Sequence, residues 1–299
     1  MDTQQGTPAW FSARRGKLTA SRFGAAAGIC PYQSRAKCLR LSLGTEEFNP
    51  GKIGTEACRW GTTNEANAVL EYMVRTGNVV THGGFFEHPS YPWLGGSPDG
   101  FVGSRGMIEV KCPFVKQVPH IKIPPTYYCQ VNGLMEILDR DWCDFVSWTP
   151  TDMKIYRVWR DPDLFGFLLD RYTTFYAFMK RGCDSVPRVT AQEKLEVLSR
   201  IEESDQHTTY DFWTYLEPGN RNGCWDGPPS DPFLTDTSDS DSTPATYLDP
   251  EPLISKRDRN DGTGEGLSVE SRAPKCPATG SESPGPGDVH SGPAPAVHT

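Results

Sequence analysis

From residue 218 onward the chain lacks the means to build a hydrophobic core, so any fold must come from the residues before it. Half of its 26 Pro residues lie between 218 and 299, among Ser, Thr, Gly and Asp. Such a segment buries too little apolar surface to offset the entropy of ordering, and it is expected to be a disordered tail. Charge divides the chain in the same way. Residues 1–184 hold 21 Lys+Arg against 18 Asp+Glu, a net of +3, while residues 185–299 carry a net of −11. The Ser/Asp/Thr block at 235–242 suits a solubilising tail, with phosphorylation or a basic partner as the alternative. The mildly basic first part is compatible with a polyanionic partner without requiring one.

Nine Cys, an odd number without a C-x-x-C pair, point to a reducing intracellular compartment and to small core fillers. In a eukaryotic virus or host that compartment would be the nucleus. No run approaches the ~18 apolar residues of a membrane span, so no membrane partner is expected.

The organisation expected is a folded domain at 1–184, a helical extension or linker at 185–217, and the tail at 218–299. Helices are expected at 19–27, at 34–43 between a Ser34 cap and a Gly44 stop, and from about 55 to 75 before Gly77. Extended segments follow at 79–88, 94–102 and 107–111. A helix at 125–138, two strands at 143–149 and 154–160, and a last helix from Asp161-Pro162 complete the domain. The aromatic stripe Phe165, Tyr172, Phe175, Tyr176 and Phe178 reads as core packing rather than a base-stacking platform. Helices flanking a central mixed sheet make the fold class α/β.

Chemistry concentrates around Asp99, with Glu109 and Lys111 downstream in a D-x9-E-x-K spacing. Side chains alternate along a strand, so Glu109 and Lys111 share one face while Ile108 and Val110 share the other. The intervening Gly103-Ser104-Arg105-Gly106 is a turn signal, and a hairpin there folds Asp99 back beside Glu109. Two carboxylates and an ammonium then converge. Phosphodiester hydrolysis needs an activated water and relief of charge on phosphorus, which Mg2+, with Mn2+ as a substitute, supplies through oxygen ligands. Asp99, Glu109 and the Val110 carbonyl are candidate metal ligands. Lys111 would orient or help deprotonate the attacking water and stabilise developing charge. The alternative is a surface hairpin with one salt bridge.

Three further segments bear on the site. Glu65 shares a helical face with Ala68, Val69 and Tyr72, and a carboxylate there is costly unless paired or metal-bound. A structural ion pair is the other reading. Gln130 shares a face with Leu134, Ile137 and Leu138, as a phosphate or water contact or as a satisfied core amide. The run from Arg14 to Arg22 sets cations and hydroxyls, Ser21 included, at an expected helix start, where a phosphate would be favoured. A basic solvated turn is its alternative. His82, His88 and His120 lack zinc-ligand spacing and read as structural or solvent-exposed.

Taken in order, Trp10-(x)3-Arg14-x-Gly16-x-Leu18-Thr19-Ala20-Ser21, Trp60-Gly61-(x)3-Glu65, Ser97-Pro98-Asp99-Gly100, Glu109-Val110-Lys111-Cys112-Pro113 and Gln130-Val131 resemble one family. It comprises the YqaJ-type viral recombinase nucleases, phage lambda exonuclease among them, of the PD-(D/E)xK superfamily. The resemblance spans residues 8–182 and implies a restriction-endonuclease-like core that digests double-stranded DNA ends 5′ to 3′ with magnesium. It implies metal ligands at Asp99 and Glu109, catalytic Lys111, an acidic helper at Glu65, site organisation by Gln130, and 5′-phosphate recognition by Arg14 and Ser21. It further implies a homo-trimer and a single-strand annealing protein as partners. The acidic tail departs from the family pattern. An endonuclease using the same site, and a non-catalytic DNA-end-binding adaptor, are the competing functions.

Overall fold

The computed structural model describes residues 5–210; the expected tail lies outside them. Local signals set several helix limits. Helix α1 (Pro8–Ala13), which the sequence reading does not anticipate, starts where the Thr7 hydroxyl accepts the Trp10 N–H at 3.2 Å. Helix α3 (Arg35–Leu43) is capped by Ser34, which accepts the Lys37 N–H, and stops at Gly44 with φ 72°. Helix α4 (Gly51–Thr76) stops at Gly77, φ 73°, as expected, but begins a turn before the expected start. The helix expected at 19–27 is three pieces instead: strand β1 (Leu18–Thr19), a 3-10 turn (Ala20–Arg22) and the short α2 (Phe23–Ala26). Thr19 stays extended because β1 is drawn into a sheet, parallel to β4 (Leu94–Gly96).

Two stretches expected to be continuous are each divided between two sheets. Residues 79–88 give β2 (Val80–Thr81) and β3 (Phe86–Glu87), and residues 94–102 give β4 and β5 (Gly100–Val102). The second break falls at Ser97-Pro98-Asp99, where Pro98 has no N–H to give a ladder. The small sheet runs β1-β4-β3. The larger runs β2-β5-β6-β7-β8, with β6 (Gly106–Lys111), β7 (Trp142–Thr149) and β8 (Asp152–Trp159) at its centre and edge. It is mixed: β6 and β7 are parallel, and its other pairs are antiparallel.

Both faces of the large sheet are covered. On one, α4 lays Ala68, Val69 and Tyr72 against Ile108, Val110, Val146 and Ile155. On the other, Met107, Cys143, Phe145 and Tyr156 meet α5 (Pro125–Leu138), α6 (Pro162–Lys180) and α7 (Ala191–Asp205). The aromatics Phe165, Tyr172 and Phe175 are buried in this second core, as expected of packing residues. Helix α7 joins the same core through Val197 and Ile201, and Ser204 hydrogen-bonds the Tyr128 hydroxyl at 3.1 Å.

Inside the first layer lies a sealed polar anchor. Asp144 on β7 accepts from Tyr72 at 2.7 Å and from both Arg157 Nε and Nη2, at 2.8 and 2.9 Å. Glu71, one residue before Tyr72, accepts the Trp148 indole N–H at 2.5 Å. These bonds fix the rotation of α4 and so the direction in which Glu65, about two turns earlier, projects.

Candidate active site

The β5–β6 register pairs Gly100 with Ile108, which sets Asp99 opposite Glu109. Asp99 stays at this edge because its Oδ2 accepts the Val110 N–H at 2.6 Å, continuing the ladder by side chain just before β5 begins. In a strand the N–H and C=O of one residue project to the same edge, so the Val110 carbonyl faces the Asp99 side as well. Glu109 is 1% exposed and lies on the α5 face of the sheet. Its Oε1 accepts from Lys111 Nζ and from Gln130 Nε2, the latter at 2.6 Å, while its buried Oε2 has no hydrogen-bond partner among the described residues. Lys111 Nζ lies 5.1 Å from the centre of the Tyr127 ring.

Electrostatics tie Glu65 to this cluster. Burial, then the Asp99 charge, push its carboxyl up to about 7, with Lys111 opposing. Burial and Asp99 likewise push Glu109 up to about 8, against Lys111. Asp99 is raised by burial, with Lys111 and the Val110 N–H working the other way. Burial disfavours the Lys111 ammonium, but Glu109 and Asp99 outweigh it and hold the lysine protonated. Glu65, Asp99, Glu109, Lys111 and Gln130 thus converge, from both helical layers and from the sheet edge between them. Three carboxyls in mutual reach repel when ionised, and a bound cation relieves that repulsion.

Among the described residues no group of three or more His, Cys, Asp or Glu side chains forms a ready-made metal cage. The donor set nonetheless fits a hard divalent cation that keeps several of its waters: a carbonyl and two carboxylates at the same edge, one of them, Glu109, with a buried oxygen that has no partner among the described residues.

Arg14 is tied to the segment before Asp99 through Trp10. Its guanidinium stacks 4.0 Å from the Trp10 ring centre, and the Trp10 indole N–H donates to Ser97 Oγ at 2.8 Å, two residues before Asp99. Burial, then Arg22, lower its pKa to about 10. Ser21 is exposed in the 3-10 turn, 3.4 Å from Thr19 Oγ1, and no hydrogen bond joins it to Arg14. The helix that follows has four residues, too short for the dipole invoked from the sequence, so any phosphate affinity here rests on the side chains. His120, set aside in the sequence reading, lies within electrostatic reach of Lys111. As a single loop residue it leaves no periodicity by which to find it.

A model of the YqaJ-like viral recombinase domain matches residues 9–141. Comparison with curated proteins gave no match. Among solved structures, an alkaline exonuclease (LHK-Exo) from Laribacter hongkongensis is 34% identical, with a TM-score of 0.50, over 59% of this chain and 94% of that one. LHK-Exo in complex with dAMP matches at 30% identity and a TM-score of 0.49, over 67% of this chain and 97% of that one. A phage-related exonuclease from Haemophilus somnus is 17% identical over 55% of this chain and 94% of its own, with a TM-score of 0.43. Because the Laribacter protein is matched over nearly its whole length, and the domain model spans the segment from Trp10 to Gln130, the chain belongs to the YqaJ-like viral recombinase family.

Proposed function

We propose that the protein is an alkaline exonuclease-type DNA nuclease that hydrolyses double-stranded DNA from its ends, 5′ to 3′, with magnesium. The observation that carries this reading is the convergence of Asp99, Glu109 and Lys111 at one sheet edge, with Glu109 Oε2 buried and without a partner among the described residues. Asp99, Glu109 and the Val110 carbonyl would hold the ion. When bound, it supplies charge relief at phosphorus and a water of lowered pKa.

The side chains divide the remaining tasks. Lys111, held protonated by its acidic neighbours, orients the attacking water and stabilises charge on the phosphoryl oxygens; in that state it takes no proton. Gln130 fixes the Glu109 carboxylate through Oε1. Glu65, raised to about 7, is the group placed to accept a proton at neutral pH. Arg14, stacked on Trp10 near Ser97, supports recognition of a 5′-phosphate and hence the polarity, with Ser21 as a second contact. The family resemblance extends the proposal to a homo-trimer working with a single-strand annealing protein.

Incubation with linear and with circular duplex DNA, in magnesium and in EDTA, tests the reading. Loss of linear substrate alone, in magnesium alone, is expected. Loss of both substrates would make the protein an endonuclease, and loss of neither would leave a DNA-end-binding adaptor.

A further inference from the structure

One side chain beside the cluster is held by bonds that none of these roles uses. His120 lies in the connection between β6 and α5, where residues 115–118 are exposed. It is nevertheless fixed three ways. Its N–H donates to Ser147 Oγ at 2.9 Å, its ring Nδ1 lies 2.8 Å from the same Oγ, and its carbonyl accepts the Tyr156 hydroxyl at 2.5 Å. Ser147 is fully buried and pairs in register with Lys111, so the ring stands over the strand neighbouring the one that carries the lysine. Tyr127, which the Lys111 ammonium overlies, meets the imidazole edge-on at 5.8 Å.

A proton count assigns the tautomer. The Ser147 hydroxyl already accepts the backbone N–H, and its own proton has one partner among the described residues, His120 Nδ1. If Nδ1 carried a proton instead, the buried hydroxyl would be left with an unmade bond, a cost the other arrangement avoids. Ser147 therefore donates, Nδ1 accepts, and the ring proton sits on Nε2. That atom has no partner among the described residues and is not among their sealed polar atoms, so solvent reaches it. Burial and the Lys111 charge both disfavour a second proton, which keeps the ring neutral. A neutral imidazole with its proton on Nε2 donates there and does not accept, which rules out a general base at that atom and leaves an acceptor oxygen as its ligand.

We propose that His120 is a DNA-backbone contact, donating Nε2–H to a nonbridging oxygen of the phosphate next to the one cleaved. The assignment rests on the cluster being a DNA-cleaving centre. There Lys111 already supplies positive charge toward a phosphate, and a neutral donor adds a hydrogen bond without adding a second cation beside it.

The test uses the full-length protein and a short 5′-phosphorylated duplex. In EDTA, His120→Ala is expected to weaken binding about tenfold, the loss of one hydrogen bond to a charged acceptor. His120→Gln, which returns an N–H at the Nε2 position, is expected to recover binding to within about threefold. In magnesium the defect of His120→Ala should fall on KM more than on kcat. In the wild type, 15N resonances of the ring should show the proton on Nε2 and a shift of that nitrogen when DNA is added. A proton on Nδ1, a resonance indifferent to DNA, unchanged binding by His120→Ala, or His120→Gln as weak as His120→Ala would each overturn the assignment. The resonances carry the test if the alanine variant does not fold. A wild type that cleaves DNA while these outcomes fail sinks this inference alone; a wild type that neither binds nor cleaves DNA sinks the functional reading and this with it.

Discussion

Asp99 accepts the Val110 N–H yet is disfavoured as an anion by its burial, so it is held in place by geometry rather than by a favourable charge environment. Asp99→Asn keeps an acceptor for that N–H while removing the charge. It is expected to preserve the melting temperature and to lower duplex cleavage by about a hundredfold or more, as is Lys111→Ala for cleavage. Cleavage at the wild-type rate by either variant would remove that residue from the mechanism. Titration gives a second check. Glu65 and Glu109 rise from 4.5 to about 7 and about 8, with burial the main cause. A carboxyl raised in the folded state contributes stability that is present at low pH and is lost as pH climbs through its folded value. The metal-free protein should therefore melt at lower temperature at about pH 8 than at about pH 5, with magnesium restoring stability mainly at the upper end. A profile in EDTA that is flat across this window would contradict the burial of these carboxyls. At the DNA end, Arg14→Ala should reduce the preference for 5′-phosphorylated over 5′-hydroxyl duplex about tenfold. An unchanged preference would move the phosphate pocket elsewhere.

Elements carry these residues, and their contacts set how far the site tolerates change. Gly24 in α2 packs on the start of α5, where an added Cβ would come within 2.2 Å of Thr126 Oγ1 and 2.8 Å of its Cα. Gly24→Ala must push backbone apart, an overpacking cost of about 1–3 kcal/mol, and α5 would carry Gln130 with it. A melting temperature lower by about 2–4 °C per kcal/mol is expected, with slower cleavage. Gly61→Ala in α4 meets no atom within 4 Å and should melt no lower than the wild type. Equal melting of the two variants would mean that α2 and α5 are not in this close contact. Helix limits at Ser34, Gly44 and Gly77 are legible in the sequence because caps are local. The facing of Asp99 and Glu109 is legible too, since a short turn dictates its own register. Glu65 and Gln130 follow from helical periodicity. The division of 79–88 and 94–102 between two sheets is not legible, because strands of two or three residues take their partners from the whole fold. His120 escapes for a related reason: only the closing of a loop onto Ser147 brings it beside the strand that carries Lys111.

At the scale of the whole molecule, charge and fold are separable. Residues 1–184, which contain every candidate site residue, carry a net of +3, while residues 218–299 carry 6 Lys+Arg against 13 Asp+Glu. The large sheet is already covered on both faces by helices within residues 5–210. A segment with that excess of acid repels a polyanion that comes within its reach, an action that falls off over about 10 Å at 0.1 M salt. Deleting 218–299 is therefore expected to leave the melting temperature and the cleavage rate at saturating DNA unchanged. The same deletion should speed DNA association at low salt, an advantage that disappears as ionic strength rises. Stopped-flow association across a salt series, with a thermal melt of each protein, separates the two effects. A fall in melting temperature would show that the acidic segment contributes to the core, and the proposed boundary at 218 would have to move toward the C-terminus.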